Sequence, residues 1–267
     1  MNSSLSKKYQ NLKKLLTRID SAVIAFSGGV DSSVLAKVAK DVMGDRVVAV
    51  TACSPTYPAS ELKEAKQFAK RIGIKHVVIK TNEFSDEKFL ENSKNRCFWC
   101  KRELFLRLDK IREKLEFAFI LDGANFTDKL DVRPGEIAKK EFSVKSPFFE
   151  CGFIKDDIRL LARGLKLPVW AKPAQACLAS RVPFGERITR ERLKKIEAAE
   201  IILKSFFGVN SLVRARDHGV ILRVETGKFE WTKLRKSGIK DVIARLKKIG
   251  YKYITLDLEG YIPAGKR

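Results

Sequence analysis

Ala22-Val23-Ile24-Ala25-Phe26-Ser27-Gly28-Gly29-Val30-Asp31-Ser32-Ser33 is the stretch whose reading decides the fold. Its first five residues are apolar and partly β-branched, and they read as a buried strand. A glycine pair flanked by hydroxyls follows at once, and a helical pattern then runs from Ser33 to Met43. A strand that ends in glycines and opens a helix makes an anion site. Glycine lets the backbone approach closely, while free N–H groups and the helix dipole hold the charge. Ser27 and Ser32 add hydroxyl donors. Asp31 repels phosphate unless a cation stands between them, which implies Mg2+. The spacing is not that of a GxxxxGK[ST] loop, and no GxGxxG is present. The bland alternative is a glycine-rich turn.

Working outward, residues 47–51, 76–79 and 117–121 are further short apolar runs that read as strands. Helical patterns cover Ser60–Ile72, which Gly73 stops, and Lys101–Leu115. This alternation predicts an α/β fold with a parallel sheet, helices on both faces and ligands at the carboxyl ends of the strands. The pattern changes after about Ser146. A helix is expected over Lys155–Leu165, then a loop from Leu167 to Phe184 punctuated by Pro168, Pro173 and Pro183. A helix over Thr189–Leu203 takes Thr189 as its N-cap. Strands are expected at 211–216 and 220–225 around His218-Gly219, a helix at 239–249 and a last strand at 251–258. The expected domains are 1–166, a cysteine-bearing linker at 167–185, and a smaller α+β domain at 186–267.

Lysine and arginine total 54 against 32 acids, a net charge of +22. That balance suits anionic partners such as nucleotides, phosphorylated metabolites or RNA, although a solubilising, charge-rich surface accounts for it equally well. The N-terminal residues are polar, without a secretory apolar stretch, and no apolar run approaches the roughly 20 residues of a membrane span. A soluble, cytoplasmic protein is the expectation. The five cysteines are an odd number for a disulfide framework, so metal, cluster or thiol chemistry is the better reading.

Two further stretches carry candidate chemistry. Asp122-Gly123-Ala124-Asn125-Phe126-Thr127-Asp128-Lys129-Leu130-Asp131-Val132-Arg133-Pro134-Gly135 follows a strand, at the end where a nucleotide should lie. Asp128 is a second candidate for Mg2+ and Arg133 for phosphate. The pair Cys97 and Cys100, in Asn95-Arg96-Cys97-Phe98-Trp99-Cys100-Lys101, reads as a redox pair, half a zinc site or cluster ligands. Cys177 lies in a turn-rich loop with Arg181 close by in sequence, a setting that favours thiolate. Cys53 and Cys151 have no motif around them and are assigned to packing.

The SGGVDSS loop resembles that of the PP-loop ATP pyrophosphatases, in which it grips the β and γ phosphates as pyrophosphate leaves. The order SGGVDSS, NRCFWCK, DGANFTDKLDVRPG and CLASRVPFGERIT is similar to that of the LarE family, from about residue 7 to residue 260. The resemblance implies a PP-loop (adenine nucleotide α-hydrolase-like) domain followed by a smaller one. It implies an ATP-dependent, AMP- and pyrophosphate-forming sulfurtransferase of nickel-pincer cofactor biosynthesis. The family adenylylates a carboxylate of pyridinium-3,5-biscarboxylic acid mononucleotide, and sulfur displaces AMP to leave a thiocarboxylate. In one branch a cysteine matching Cys177 is sacrificed. In the other, three cysteines hold a 4Fe-4S cluster, and Cys97, Cys100 and Cys177 match all three. ATP, Mg2+ and a 4Fe-4S cluster are therefore the implied cofactors. Arg214 and Arg216, alternating on one strand, are implied ligands of the substrate phosphate, with Trp99, Ser180, Arg181 and Glu200 as further substrate contacts. A sulfur donor or cluster-assembly protein and a homo-oligomer are implied; a membrane or nucleic-acid partner is not.

Two rivals stand beside this reading. A tRNA thiolase of the same superfamily suits the +22 charge, but no zinc-ribbon cysteine pairs or RNA-binding module are evident. A non-catalytic nucleotide or iron–sulfur carrier fits poorly with an intact phosphate loop and Asp31.

Overall fold

A computed structural model describes residues 3–127, 134–173, 176–209, 211–235 and 238–262. The chain forms two compact units, Met1–Phe89 with Lys94–Gln175, and Leu90–Ser93 with Ala176–Arg267.

The first unit opens with helix α1 (Ser3–Ile19), then alternates β1 (Ala22–Ala25), α2 (Val30–Met43), β2 (Val47–Cys53), α3 (Ala59–Ile72) and β3 (Lys75–Lys80). The short helix α4 (Glu87–Leu90) ends at its boundary. Next come α5 (Arg96–Lys114), β4 (Phe119–Leu121), α6 (Pro134–Glu141), the short α7 (Pro147–Glu150) and α8 (Lys155–Gly164). The strands lie in the order β3-β2-β1-β4, and each pair is parallel. Side chains alternate across the two central strands. Ala22, Ile24, Val47 and Ala49 join α1, α2, α3 and α8 in one core. Val23, Val48, Val50 and Ile120 join α5 and α6 in the other. A sheet buried on both faces needs near-continuous apolar strands, and the runs at 22–26 and 47–51 are of that kind.

Helices α4, α6 and α7 were not expected, and two further differences bear on the site's surroundings. The N-terminal stretch, read only as polar and without an expected element, forms α1, because Leu5, Leu12, Leu16 and Ile19 share one buried face. The helix expected from Lys101 begins at Arg96. The Asn95 carbonyl accepts the N–H groups of Phe98 at 2.9 Å and Trp99 at 3.4 Å, and Arg96 is buried. The cysteine pair therefore sits in the first turns of α5 rather than in a loop.

The second unit contains α9 (Arg190–Phe207), β5 (Val213–His218), β6 (Ile221–Thr226), α10 (Ile239–Lys248) and β7 (Tyr253–Leu256). The sheet order is β5-β6-β7, with β5 antiparallel and β7 parallel to β6. Thr189 caps α9 by accepting the Arg192 N–H at 3.2 Å. Residues 90–93 belong to this unit because Asn92, fully buried, donates its side-chain amide to the carbonyls of Pro183 at 2.6 Å and Glu186 at 3.0 Å. Leu167 and Val169 pack in the first unit's core, whereas Leu178, Ala179 and Val182 are buried residues of the second. Among the described residues, no helix is long and apolar enough to cross a membrane.

Candidate functional site

The phosphate loop forms at the carboxyl end of β1. Gly28 has φ +66°, and a Cβ there would lie 3.0 Å from the Ala65 Cβ on α3. Both conformation and space demand glycine. Gly29 is the N-cap of α2 and makes no side-chain cap, so the helix opens with its N–H groups uncapped by a side chain. The hydroxyls hold the loop's shape. Ser27 Oγ and Ser32 Oγ are 3.1 Å apart, and Ser32 Oγ also accepts the Ser27 N–H at 3.2 Å. Tyr57 donates to the Ser27 carbonyl at 2.7 Å. Burial, with the charge of Glu61, raises the Tyr57 pKa, so it remains a donor at neutral pH.

Two lysines, not singled out in the sequence, complete the loop's surroundings. Lys172 donates to the Gly28 carbonyl at 3.2 Å and pairs with Glu61 at 2.6 Å and Glu64 at 2.7 Å on α3. Burial opposes its charge, but the hydrogen bonds and charges of the two glutamates prevail and raise its pKa. Lys155, the first residue of α8, pairs with Asp31 Oδ2. The other carboxylate oxygen, Asp31 Oδ1, is buried and has no hydrogen-bond partner among the described residues. No local motif announces either lysine. Each reaches the loop across more than a hundred residues of sequence.

The second stretch lies directly against the loop. A Cβ on Gly123 would fall 2.9 Å from the Ser32 amide nitrogen, so only glycine permits the approach. Asp122 is fixed structurally, accepting from Ser146 Oγ at 2.6 Å and pairing with Lys139 at 3.1 Å. Asp128 and Arg133 lie outside the described residues.

Cys97 and Cys100 are three residues apart on α5 and share a face. Cys97 is exposed and Cys100 half-buried. Trp99 packs edge-on against Phe98, carries the Lys88 ammonium 4.4 Å from its ring centre, and lines a polar cavity of about 190 Å3 with Glu83, Asp86, Arg102 and Glu103. Among the described residues, no three His, Cys, Asp or Glu side chains are grouped as a metal ion requires.

In the second unit Cys177 is exposed, at the start of a helical turn over Leu178–Arg181. Arg181, only 1% exposed, organises this turn. It grips Glu200 through Nε at 2.7 Å and Nη2 at 3.2 Å, and its Nη1 donates to the carbonyls of Ala176 at 2.7 Å and Cys177 at 3.0 Å. Ser180 Oγ donates to the same Cys177 carbonyl at 2.8 Å. Arg216 is clamped by buried Glu225, with both bonds at 2.9 Å, and donates to the Ser180 carbonyl at 2.6 Å. Arg214 is buried beside the Tyr261 ring, and desolvation, then the charge of Arg181, lowers its pKa. Cys177, Ser180, Arg181, Glu200, Arg214 and Arg216 thus form one constellation. Its three guanidiniums and that of Arg223, which also pairs with Glu225 at 3.1 Å and with Asp257, face Glu200, Glu225 and Asp257, and the surplus positive charge suits an anion. Glu225 was not anticipated. It lies opposite Arg214 in the β5–β6 register and reaches diagonally to Arg216.

Removing Arg181 would strand Glu200 with the Ala215 N–H, 3.2 Å away, as its remaining partner in this constellation. Arg181→Met is expected to destabilise the second unit by about 3–5 kcal/mol, the usual consequence of breaking a buried ion pair from one side. Urea denaturation followed by intrinsic fluorescence checks this, and a loss below about 1 kcal/mol would contradict the structural role.

A family model described as NAD synthase matches residues 5–105, the segment that holds the phosphate loop. A GMP synthase of Aeropyrum pernix is 26% identical over 68% of this chain and 39% of its own length. An uncharacterised protein of Synechocystis sp. is 40% identical over 96% of both chains. The pyridinium-3,5-bisthiocarboxylic acid mononucleotide synthase of Lactiplantibacillus plantarum is 32% identical over 97% of this chain and 93% of its own. Near-complete coverage at that identity, with a PP-loop formed at the end of β1, means that the chain belongs to the LarE family of ATP-dependent sulfurtransferases within the PP-loop ATP pyrophosphatases.

Proposed function

We propose that this chain converts a carboxylate of pyridinium-3,5-biscarboxylic acid mononucleotide to a thiocarboxylate in nickel-pincer cofactor biosynthesis. The observation that carries the reading is the phosphate loop. It has a helix N-terminus without a side-chain cap and a carboxylate oxygen, Asp31 Oδ1, that is buried without a partner among the described residues, in a chain similar over 97% of its length to such a synthase. In this reading the first unit binds ATP, and the second supplies Cys177 and the substrate's anion site.

The chemistry follows from leaving groups. A carboxylate resists substitution because its oxygen leaves poorly. Its oxygen attacks the α phosphorus of ATP, the bond to the bridging oxygen breaks, and pyrophosphate departs into the loop. A sulfur nucleophile then attacks the acyl carbon, and AMP leaves with the oxygen. The α2 N-terminus and the Ser27 and Ser32 hydroxyls hold the departing phosphates. Asp31 is a hard oxygen donor suited to Mg2+, with Asp128 proposed beside it. When bound, the ion neutralises charge on the leaving group. Arg133 is proposed as a phosphate ligand, and Arg214 and Arg216 as the clamp for the mononucleotide phosphate. Trp99, Ser180, Arg181 and Glu200 are proposed around the substrate, with Ser180 and Arg181 setting the Cys177 backbone.

For sulfur, Cys97, Cys100 and Cys177 are cysteines outside any disulfide, the first two on one helical face, and three thiolates are the donor set that a 4Fe-4S cluster with one iron left open would take. Such a cluster, when bound, supplies the sulfur. A separate donor or assembly protein is proposed to recharge it, and five cysteines without a disulfide suit the reducing cytoplasm. The test combines the purified protein, ATP, Mg2+ and the biscarboxylate. Mass spectrometry should show AMP, pyrophosphate and a product with sulfur in place of oxygen. If AMP and pyrophosphate do not form, the reading fails.

A further inference from the structure

Asp31 has two cationic partners that cannot share it fully: Mg2+, which the loop's chemistry calls for, and the ammonium of Lys155, which sits on its Oδ2. The lysine is held there from its backbone. Its N–H donates to Thr127 Oγ1 at 3.1 Å, and the Phe126 N–H donates to the Phe153 carbonyl at 2.7 Å. These bonds tie the start of α8 to the stretch that presses Gly123 against the amide of Ser32. Lys8 on α1 pairs with Asp157 at 2.6 Å and secures the same turn of α8, while Ile158 and Leu161 anchor the helix in the core with α2. A rigid support thus delivers a half-exposed ammonium to the N-terminal turn of α2, an end that already gathers negative charge. Around the loop Lys172 is engaged by Gly28, Glu61 and Glu64, and the Ser27 and Ser32 hydroxyls bond each other. The second oxygen of Asp31 is buried and, like Ser33 Oγ, has no hydrogen-bond partner among the described residues.

We propose that Lys155 competes with Mg2+ for Asp31 and, once displaced, becomes a ligand of the triphosphate. An ammonium on a flexible stem is a compact point charge that exchanges partners without a fixed geometry, whereas a guanidinium fork prefers a fixed carboxylate. Once Mg·ATP is bound, the displaced ammonium has the triphosphate as its anionic neighbour and the carboxylate keeps a cation; with the metal alone the ammonium is released to solvent. The inference rests on the ATP reading of the loop.

The test uses the full chain and two probes, Mn2+ alone and Mg·ATP. Lys155→Met should bind Mn2+ about tenfold tighter than wild type by electron paramagnetic resonance, because the competitor is gone. It should bind Mg·ATP about tenfold weaker or worse by calorimetry, the usual worth of one charge-assisted contact. Lys155→Arg should recover part of the ATP affinity. Opposite signs for the two probes separate this role from a plain structural ion pair, whose loss would weaken both or neither. Unchanged Mg·ATP affinity, or weaker Mn2+ binding, in Lys155→Met overturns the proposal. Should that variant not fold, acetylation of Lys155 in wild type decides. Mg2+ alone should quicken it, Mg·ATP should suppress it, and the absence of either effect overturns the proposal. A wild-type protein that fails to bind Mg·ATP refutes the ATP reading itself, whereas normal wild-type binding with an indifferent variant refutes only the role of Lys155.

Discussion

Asp31→Asn is expected to lower pyrophosphate release by about a thousandfold while leaving the fold intact, since loss of one preorganised electrostatic group at a reacting centre has effects of this order. The substitution keeps the shape of the side chain and removes its charge. Asp31 lies in the first turn of α2, beside Gly123 and the Ser27–Ser32 hydroxyl pair. A neutral amide there still packs, but it is a poor ligand for Mg2+, which dehydrates reluctantly and selects anionic oxygen. Without the ion, the charge developing on the departing pyrophosphate loses its divalent counter-charge. The stability change should be small, because the lost ion pair with Lys155 is partly exposed on both sides. Pyrophosphate release at saturating Mg·ATP, paired with a thermal melt, checks both halves. A rate within tenfold of wild type in a folded variant would show that Asp31 does not handle the metal.

What could be read in the sequence divides by range of interaction. The first unit's strands and the turn at Ser27–Ser33 were legible because they are local: apolar runs for a sheet buried on both faces, and glycines where α3 and the 122–127 stretch approach closely. The start of α5 was not, since it depends on burial of Arg96, a residue that would ordinarily face water. Helix α1 was legible in principle, its apolar residues at 5, 12, 16 and 19 keeping to one face, but the polar residues between them masked the period. The site divides the same way. Asp31, Ser27 and Ser32 announce themselves by sequence neighbourhood. Lys155, Lys172 and Glu225 do not, because each earns its place through a partner distant in sequence or across a strand. Arg181 was read as a substrate contact from resemblance. Its bonds to Glu200 and to the Ala176 and Cys177 carbonyls also make it the support of the Cys177 turn, and no one-dimensional pattern carries that information.

Cys177→Ser should separate the two half-reactions. Serine preserves the volume and polarity of an exposed side chain, and the backbone carbonyl that Arg181 and Ser180 hold is unaffected, so stability should stay within about 0.5 kcal/mol of wild type. In the proposed reading ATP cleavage uses the loop of the first unit, so AMP and pyrophosphate formation should remain within about threefold, uniform binding being untouched. Thiocarboxylate formation should fall by a factor of about a thousand or below detection, because a hydroxyl can neither donate sulfur nor act as a soft ligand of iron. Cys97→Ser and Cys100→Ser then decide the route. If the three thiolates hold a cluster, each variant loses iron after anaerobic reconstitution and loses sulfur transfer with it. If Cys177 alone is sacrificed, both α5 variants transfer sulfur normally, and Cys177 emerges from a single turnover lighter by the mass of hydrogen sulfide. A Cys177→Ser protein that still makes the thiocarboxylate at the wild-type rate would exclude both routes at once, and with them any direct part for this loop in moving sulfur.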